Sequence, residues 1–433
     1  MLLASGCSLF QRSKLVGYPD TVGLTGTTDP VEPPMQPVKP LPAPQPATPL
    51  PPPAAPVSSP VGETPSTRTS VPSRPAETDD MQAAPAPLPP RTVAAGEPTL
   101  RYRNATLSED TRWSGIVLVE GGVTVAPQAT LTIDPGTVVR FGESDDSDGT
   151  HSVLLVFGRL VVAGTQAQPV LLTSRYVEPR PADWQGIVIM GSEKRNSIEH
   201  CRIEGADAGI DAAFSSLTVK NTVLSNCRVG ARYMDALVSI SGGGPLKCGT
   251  GIDASDSELE MREGEVKGNR QGISAVRTSL SVASVMFAGN EREALAASAS
   301  RVKILNSEFE MNGAGLHLSD TQGTLSYDRF VGNSDFGVSL QNCRLKVSGN
   351  EISSNGRSGL VVDRCNCAIW NNALLNNGTD LYNAGSGDVR AIGNWWGTGT
   401  PVEIEKRIFD RRRDPSRGRV VITPILPGNP LSP

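Results

Sequence analysis

Histidine is nearly missing from this chain of 433 residues: His151, His200 and His317 are the whole complement. They stand far apart and in different registers of the repeat described below, so they suggest neither a catalytic pair nor a metal set. An excess of basic charge is missing too. The formal net charge is −5 and the isoelectric point is near 5.5, which leaves no electrostatic footprint for nucleic acid. The one dense basic run, Arg411-Arg412-Arg413, is followed by Asp414 and reads as a solvated turn. Helical periodicity is lacking across the second half, where no apolar i, i+3, i+4 pattern persists for ten positions, and this excludes a helical repeat.

What is there is a return every 21 or 22 residues. Gly209-Ile210, Gly230-Ala231, Gly251-Ile252, Gly272-Ile273, Ala294-Leu295, Gly315-Leu316, Gly337-Val338, Gly359-Leu360 and Asp380-Leu381 mark it. A period of this length is the sign of a solenoid, in which each repeat buries its apolar face only against its neighbours. Counting from the glycine, a second apolar column follows at Leu217, Val238, Leu259, Leu280, Val302 and Leu345, with Gly323 and Cys367 as exceptions. A third holds Leu224, Val266, Phe287, Phe309, Phe330, Ile352 and Leu374, interrupted by Pro245. Three short alternating segments per repeat are strands. Stacked at ~4.8 Å, they predict three parallel sheets around a filled core: an all-β, right-handed single-stranded parallel β-helix. A column of Asn226, Asn269, Asn290, Asn312, Asn333, Asn355 and Asn376, with Cys248 in one slot, is expected at a corner as an amide ladder.

Domain organisation follows from composition. Residues 1–29 form the amino terminus and the start of a tether, and residues 30–98 a disordered linker that holds 22 of the 35 prolines. In polyproline geometry the linker reaches at most roughly 200 Å. The β-helix is expected over 99–393, as roughly 13 coils, followed by a carboxy-terminal cap and tail over 394–433.

The amino-terminal Leu3-Ala4-Ser5-Gly6-Cys7 resembles a bacterial lipobox, with Cys7 as the residue to be lipidated, although only two leucines precede it where a signal needs 7–15 apolar residues. Cys7 followed by a long tether and then a solenoid predicts a lipid-anchored protein of the bacterial envelope. Ser8 points to the outer membrane. Of the other cysteines, Cys343 and Cys365 fall in one register, beside Ser215, Ser257, Thr278, Ser300 and Thr321, and predict a stacked thiol ladder within disulfide range. Cys365-Asn366-Cys367 puts two sulfurs on one strand face, poor geometry for zinc without two further ligands.

Trp113-Ser-Gly-Ile-Val-Leu and Trp184-Gln-Gly-Ile-Val-Ile repeat one pattern, Val123–Phe141 carries a Pro135-Gly136 turn, and Asn394-Trp-Trp-Gly-Thr398 stands near the end. Together these resemble the right-handed parallel β-helix repeat family of the pectate-lyase-like superfamily, with NosD-type repeats, over about residues 107–426. The resemblance implies the fold more than an activity. Trp395 and Trp396 are expected to cover the last coil, with a short helix over Pro401–Phe409 and a returning strand over Val420–Ile425.

The paired-Asp, Gly-His-Gly and Arg-plus-calcium motifs of enzymes on this fold are not present as a set. The best carboxylate constellation is Asp211, Arg232 and Asp253, stacked on consecutive coils. Arg232 is expected to bond to both carboxylates and keep them ionised, where a general acid needs a raised pKa. The loop Glu143–Gly149 offers Asp145, Asp146 and Asp148 as calcium candidates, without the distal Glu of an EF-hand. The first expectation is therefore a non-catalytic, cofactor-free protein that binds polysaccharide or another envelope component. The alternative is a polysaccharide lyase, hydrolase or epimerase working along one lateral sheet, and the third is a structural scaffold.

Overall fold

In the computed structural model the described residues are 91–142 and 152–431, all within the compact unit Pro85–Pro433. Cys7 and the calcium candidates Asp145, Asp146 and Asp148 lie outside them.

From Phe214 to Asn376 each coil turns its three corners by one device. A residue with left-handed backbone angles is followed at once by a buried small or polar residue. The left-handed columns include Asp256, Arg277 and Asp320 at the first corner, Glu263, Ser284 and Tyr327 at the second, and Met311, Ser354 and Asn376 at the third, all with φ between 47 and 59°. Few of these residue types favour such angles, so the surrounding ladders must impose them. The segments between corners are too short to be anything but strands, and each pairs in parallel with its equivalent one coil away.

Three ladders result. Sheet I stacks Leu154, Ile187, Ile210, Ala231, Ile252, Ile273 and their successors to Leu381 and Ile408. Sheet II stacks Ile133, Val162, Ile198, Val219, Ile240, Met261, Val282, Ile304, Leu325, Val347 and Ile369. Sheet III carries Leu172, Ile203, Leu224, Pro245, then Val266 through Phe287, Phe309 and Phe330 to Leu374. The inward residues of all three are buried and form one continuous core. The expected phenylalanine stack is present, with ring centroids 4.5 and 4.6 Å apart. Each buried ring is worth about 3–5 kcal/mol against truncation to alanine.

The solenoid has about 12 turns rather than the 13 expected. Its early coils are longer: the steps from Val123 to Leu154 and from Leu154 to Ile187 each take more than thirty residues. The glycine of the repeat has a direct steric cause. A Cβ on Gly272 would lie 2.0 Å from the carbonyl oxygen of Ala294, and one on Gly230 would lie 2.4 Å from that of Gly251.

The asparagine ladder needs one correction. Its buried members are Asn269, Asn290, Asn312, Asn333, Asn355 and Asn377, preceded in register by Cys227 and Cys248. Asn226 and Asn376 sit one residue earlier, in the left-handed column, with φ of 54 and 59°. The side chain of Asn226 turns outward to the carbonyl of Pro179 at 2.5 Å. Asn tolerates left-handed angles and also stacks well, so its identity alone does not separate the two columns.

The carboxy-terminal end of the solenoid is closed, and the amino-terminal segment is fastened along its flank. At the carboxy-terminal end Trp396 is fully buried and Trp395 bridges to Ala373. The short helix Pro401–Lys406 buries Ile404, and Val420–Val421 returns to pair with Val389–Arg390. The Asn377 ladder terminates on Asp380, which is buried and paired with Arg407 at 3.0 Å. At the other end the residues described before the predicted boundary at 99 are already held against the solenoid. Val93 bridges antiparallel to Tyr176, Arg91 bonds to Asp183 at 2.6 Å and lies 3.9 Å over the Tyr176 ring, and Arg140 donates to the carbonyls of Ala94, Ala95 and Gly96. Residues 91–99 thus cross the flank of three coils before Leu100 enters the first ladder opposite Val117.

Candidate functional site

Sheet I brings the predicted constellation together in register, with Asp211 beside Arg232 and Arg232 beside Asp253. The bonding differs from expectation. Arg232 donates to Asp211 at 2.7 Å, whereas Asp253 has no ion-pair partner among the described residues. A guanidinium in this fold can reach both ways, as Arg329 does toward Glu308 on one side and Glu351 on the other, so register alone does not decide which carboxylate Arg232 takes. His317 shares this column but lies three coils beyond Asp253, ~14 Å along the axis at the inter-strand spacing. An acid and a base that far apart cannot serve one glycosidic bond, which needs carboxyl groups within roughly 10 Å. The positions between them are Ser274 and Ala296.

The solvent face of sheet II is different. Arg301 and Lys303 project from one strand, Gln322 and Thr324 from the next, and Arg344 and Lys346 from the one after. All four cations are exposed, and among the described residues none has an ion-pair partner. Residues two apart on a strand share a face at ~6.7 Å, and strands two coils apart are separated by ~9.6 Å, so the four ammonium and guanidinium groups form a rectangular grid. Between the charged rows lies Gly323, where the leucine column is interrupted. Its φ of 146° and the 1.7 Å from a would-be Cβ to the Val302 oxygen exclude any side chain there. On the solvent face lies a shallow depression of 450 Å³ bounded by Arg301, Arg344, Lys346 and Cys367. It continues into a second of 490 Å³ bounded by Arg277, Arg301, Arg344 and Asp320. Arg277 is neutralised by Asp256 at 2.6 Å, and Asp320 is the sole carboxylate in that lining. Two rows lower on the same face the charge is reversed, with Glu258 and Glu260 flanking Leu259.

These four cations were not among the residues singled out from sequence. Near-neutral overall charge hides them, and the signal that finds them is basic residues at the seventh and ninth positions after the glycine, in alternate coils.

The ionisable groups that are buried serve the corners. Asp328 occupies the second corner's polar column, below Asn350, Asn372 and Asn394. Its Oδ1 accepts the Ser307 N–H at 2.9 Å, and its Oδ2 is buried without a partner. Burial pushes this carboxyl up to about 7, against the opposing pull of backbone N–H donors. Asp380 is likewise raised by burial, opposed by Asn377 and Arg407.

Uninterrupted parallel ladders, polar corners and a capped apolar core define a right-handed parallel β-helix. The chain belongs to the right-handed parallel β-helix repeat family: residues 103–216 match the family described as a pectate-lyase like beta helix domain, and residues 247–409 match the one described as periplasmic copper-binding protein (NosD). The copper named in that description finds no donor set here. Among the described residues no three His, Cys, Asp or Glu side chains are grouped so as to hold a metal ion. Among solved structures the chain is similar to the periplasmic alginate epimerase AlgG, at 12% identity and a TM-score of 0.37, over 71% of this chain and 76% of that one. It is also similar to tailspike protein 3 of bacteriophage CBA120, at 10% identity and 0.31, over 75% and 56%. The Agl-KA catalytic domain is similar at 10% identity and 0.28, over 72% and 62%. No curated protein sequence matches the chain. Among the described residues no helix is long and apolar enough to cross a membrane.

Proposed function

We propose that this is a non-catalytic, lipid-anchored envelope protein whose β-helix binds an anionic polysaccharide across the cationic grid of sheet II. The observation that carries the reading is the set of four exposed cations, Arg301, Lys303, Arg344 and Lys346, arranged around a shallow depression and without ion-pair partners among the described residues. Exposed cations repel one another and gain little from a lone counter-ion, whereas a polymer bearing carboxylates or sulfates at regular intervals engages several at once. A polymer lying along the coils meets a charged row at every second coil, ~9.6 Å apart, on a support that does not deform. The lipobox-like Leu3–Cys7 and the periplasmic label of the matching repeat family support an envelope location, with Cys7 as the anchor.

Binding is tested by affinity electrophoresis of the purified chain in gels containing polygalacturonate, alginate, heparin or neutral dextran. Retardation is expected in at least one polyanion and not in dextran, weakening steeply between low and moderate salt because the contacts are exposed. The double variant Arg301→Glu/Arg344→Glu should lose it by at least ~10-fold, since it replaces two attractions by two repulsions. Equal migration of wild type and variant in every polyanion would overturn the reading. So would turnover of any of these polymers that disappears in Asp253→Asn, which would favour an enzyme on sheet I, where Asp253 has no ion-pair partner among the described residues.

A further inference from the structure

Apart from the cationic grid, the chemically distinctive feature among the described residues is a group of three thiols at the adjoining corner, Cys343, Cys365 and Cys367, all free. The Cys365 sulfur accepts the N–H of Cys343 at 3.2 Å. The other two sulfurs face acceptors. Cys343 Sγ donates toward the carbonyls of Gln341 at 3.2 Å and Leu318 at 3.4 Å, and Cys367 Sγ toward that of Cys343 at 3.6 Å. The Asp363 carbonyl lies 3.2 Å from the Cys365 sulfur as well, so what sets this sulfur apart among the three is the backbone N–H it accepts, which favours a thiolate there. Cys365 is also half-exposed, whereas Cys343 is buried. Arg344 and Lys346 line the same depression as Asn366 and Cys367.

We propose that Cys365 is a reactive thiolate that exchanges with an external disulfide and is resolved by Cys343. The Cys365 thiolate attacks one sulfur of the external disulfide, forming a mixed disulfide and releasing one thiolate. Cys343, losing its proton to solvent, then attacks the Cys365 sulfur and expels the second thiol. The net change is one external disulfide reduced to two thiols and one Cys343–Cys365 disulfide formed, with two electrons passing outward. Cys343 is the resolving partner because it is the coil mate of Cys365, with Cα atoms ~4.8 Å apart and inside disulfide range, whereas residues 365 and 367 are ~6.7 Å apart on an extended segment. The bond would tie two consecutive coils together at the far edge of the cationic grid. Cys227 and Cys248 make a comparable stack in the third corner, but both are buried, so no external reagent reaches them. This inference is independent of what the grid binds.

The test uses the full chain, reduced and then freed of reductant. Brief iodoacetamide labelling at pH 6 should modify Cys365 at least ~10-fold faster than any other described cysteine. Oxidised glutathione, itself anionic, should then convert the wild type to a species two hydrogens lighter, with the 343 and 365 peptides linked. Cys343→Ser should stop at the glutathione mixed disulfide on Cys365, and Cys365→Ser should give neither product. Labelling that favours Cys367, or is uniform across the cysteines, would overturn the proposal. So would a wild type that accumulates the same mixed disulfide as Cys343→Ser. The labelling comparison needs no variant, so it stands even if a serine substitution impairs folding.

Discussion

Two corners of the same solenoid solve one problem with different residues. At the third corner the buried polar column is asparagine from Asn269 to Asn377, and each side-chain amide donates both to a carbonyl roughly 24 residues earlier and to the Oδ1 of the next asparagine, or, for the last, of Asp380. At the second corner the column runs Ser307, Asp328, Asn350, Asn372, Asn394. Where Asn350 directs its Nδ2 to Leu325 O and to Asn372 Oδ1, Asp328 presents an oxygen with no partner. An amide can both donate and accept along a stack, but a carboxylate can only accept. The comparison shows that the ladder depends on the donor as much as on shape, and that a proton on Asp328 stands in for the missing N–H.

The largest expected effect comes from making the uniform column resemble the mixed one. Asn333→Asp would set a carboxylate oxygen against Phe309 O and Asn355 Oδ1, which now accept at 3.0 and 2.9 Å. A loss of about 4 kcal/mol at pH 8 is expected, shrinking toward pH 4 as the acid takes up a proton, and denaturant melts at the two pH values measure it. The converse change, Asp328→Asn, should stabilise. The folded pKa of Asp328, about 7, lies above its unfolded value, so the folded state binds the extra proton; stability falls as pH rises from about 4 to about 7 and levels off beyond. Asn at this position should remove that slope and raise stability by about 2–4 kcal/mol at pH 8. An unchanged slope would mean that the carboxylate is solvated. The smallest effect should separate the two columns of the third corner. Asn376→Gly keeps the left-handed angles available and should change stability by less than about 1 kcal/mol, whereas Asn377→Gly removes a stacked amide and should cost about 2.

The same comparison explains what the sequence made legible. The apolar columns were readable because Ile210, Leu259 and Phe309 alternate strictly with polar residues. The fold, its three sheets, the phenylalanine stack and the Trp395–Trp396 closure follow from that alternation. The corners were harder. Left-handed positions are filled by residues as different as Arg277, Met311 and Tyr327, since the backbone there is dictated by neighbouring coils and not by local preference. Asparagine occurs in both adjacent columns, which produced the one-residue slip at Asn226 and Asn376. The Asp211–Arg232–Asp253 register was legible, but the direction in which Arg232 leans was not, because a long side chain chooses between equivalent neighbours only in three dimensions. The Arg301–Lys346 grid escaped notice because it spans alternate coils and leaves no contiguous basic run.

The segment 91–99 gives the chain a mechanical property. Because Arg91, Val93 and Ala94 fasten to Asp183, Tyr176 and Arg175 on the flank, a pull applied upstream of residue 91 enters at the third coil instead of at the first strand. The first ladder is therefore not peeled open one hydrogen bond at a time. The load falls in shear on a bidentate ion pair, a guanidinium–ring contact and a row of carbonyls gripped by Arg140, all of which must yield together before Leu100 is disturbed.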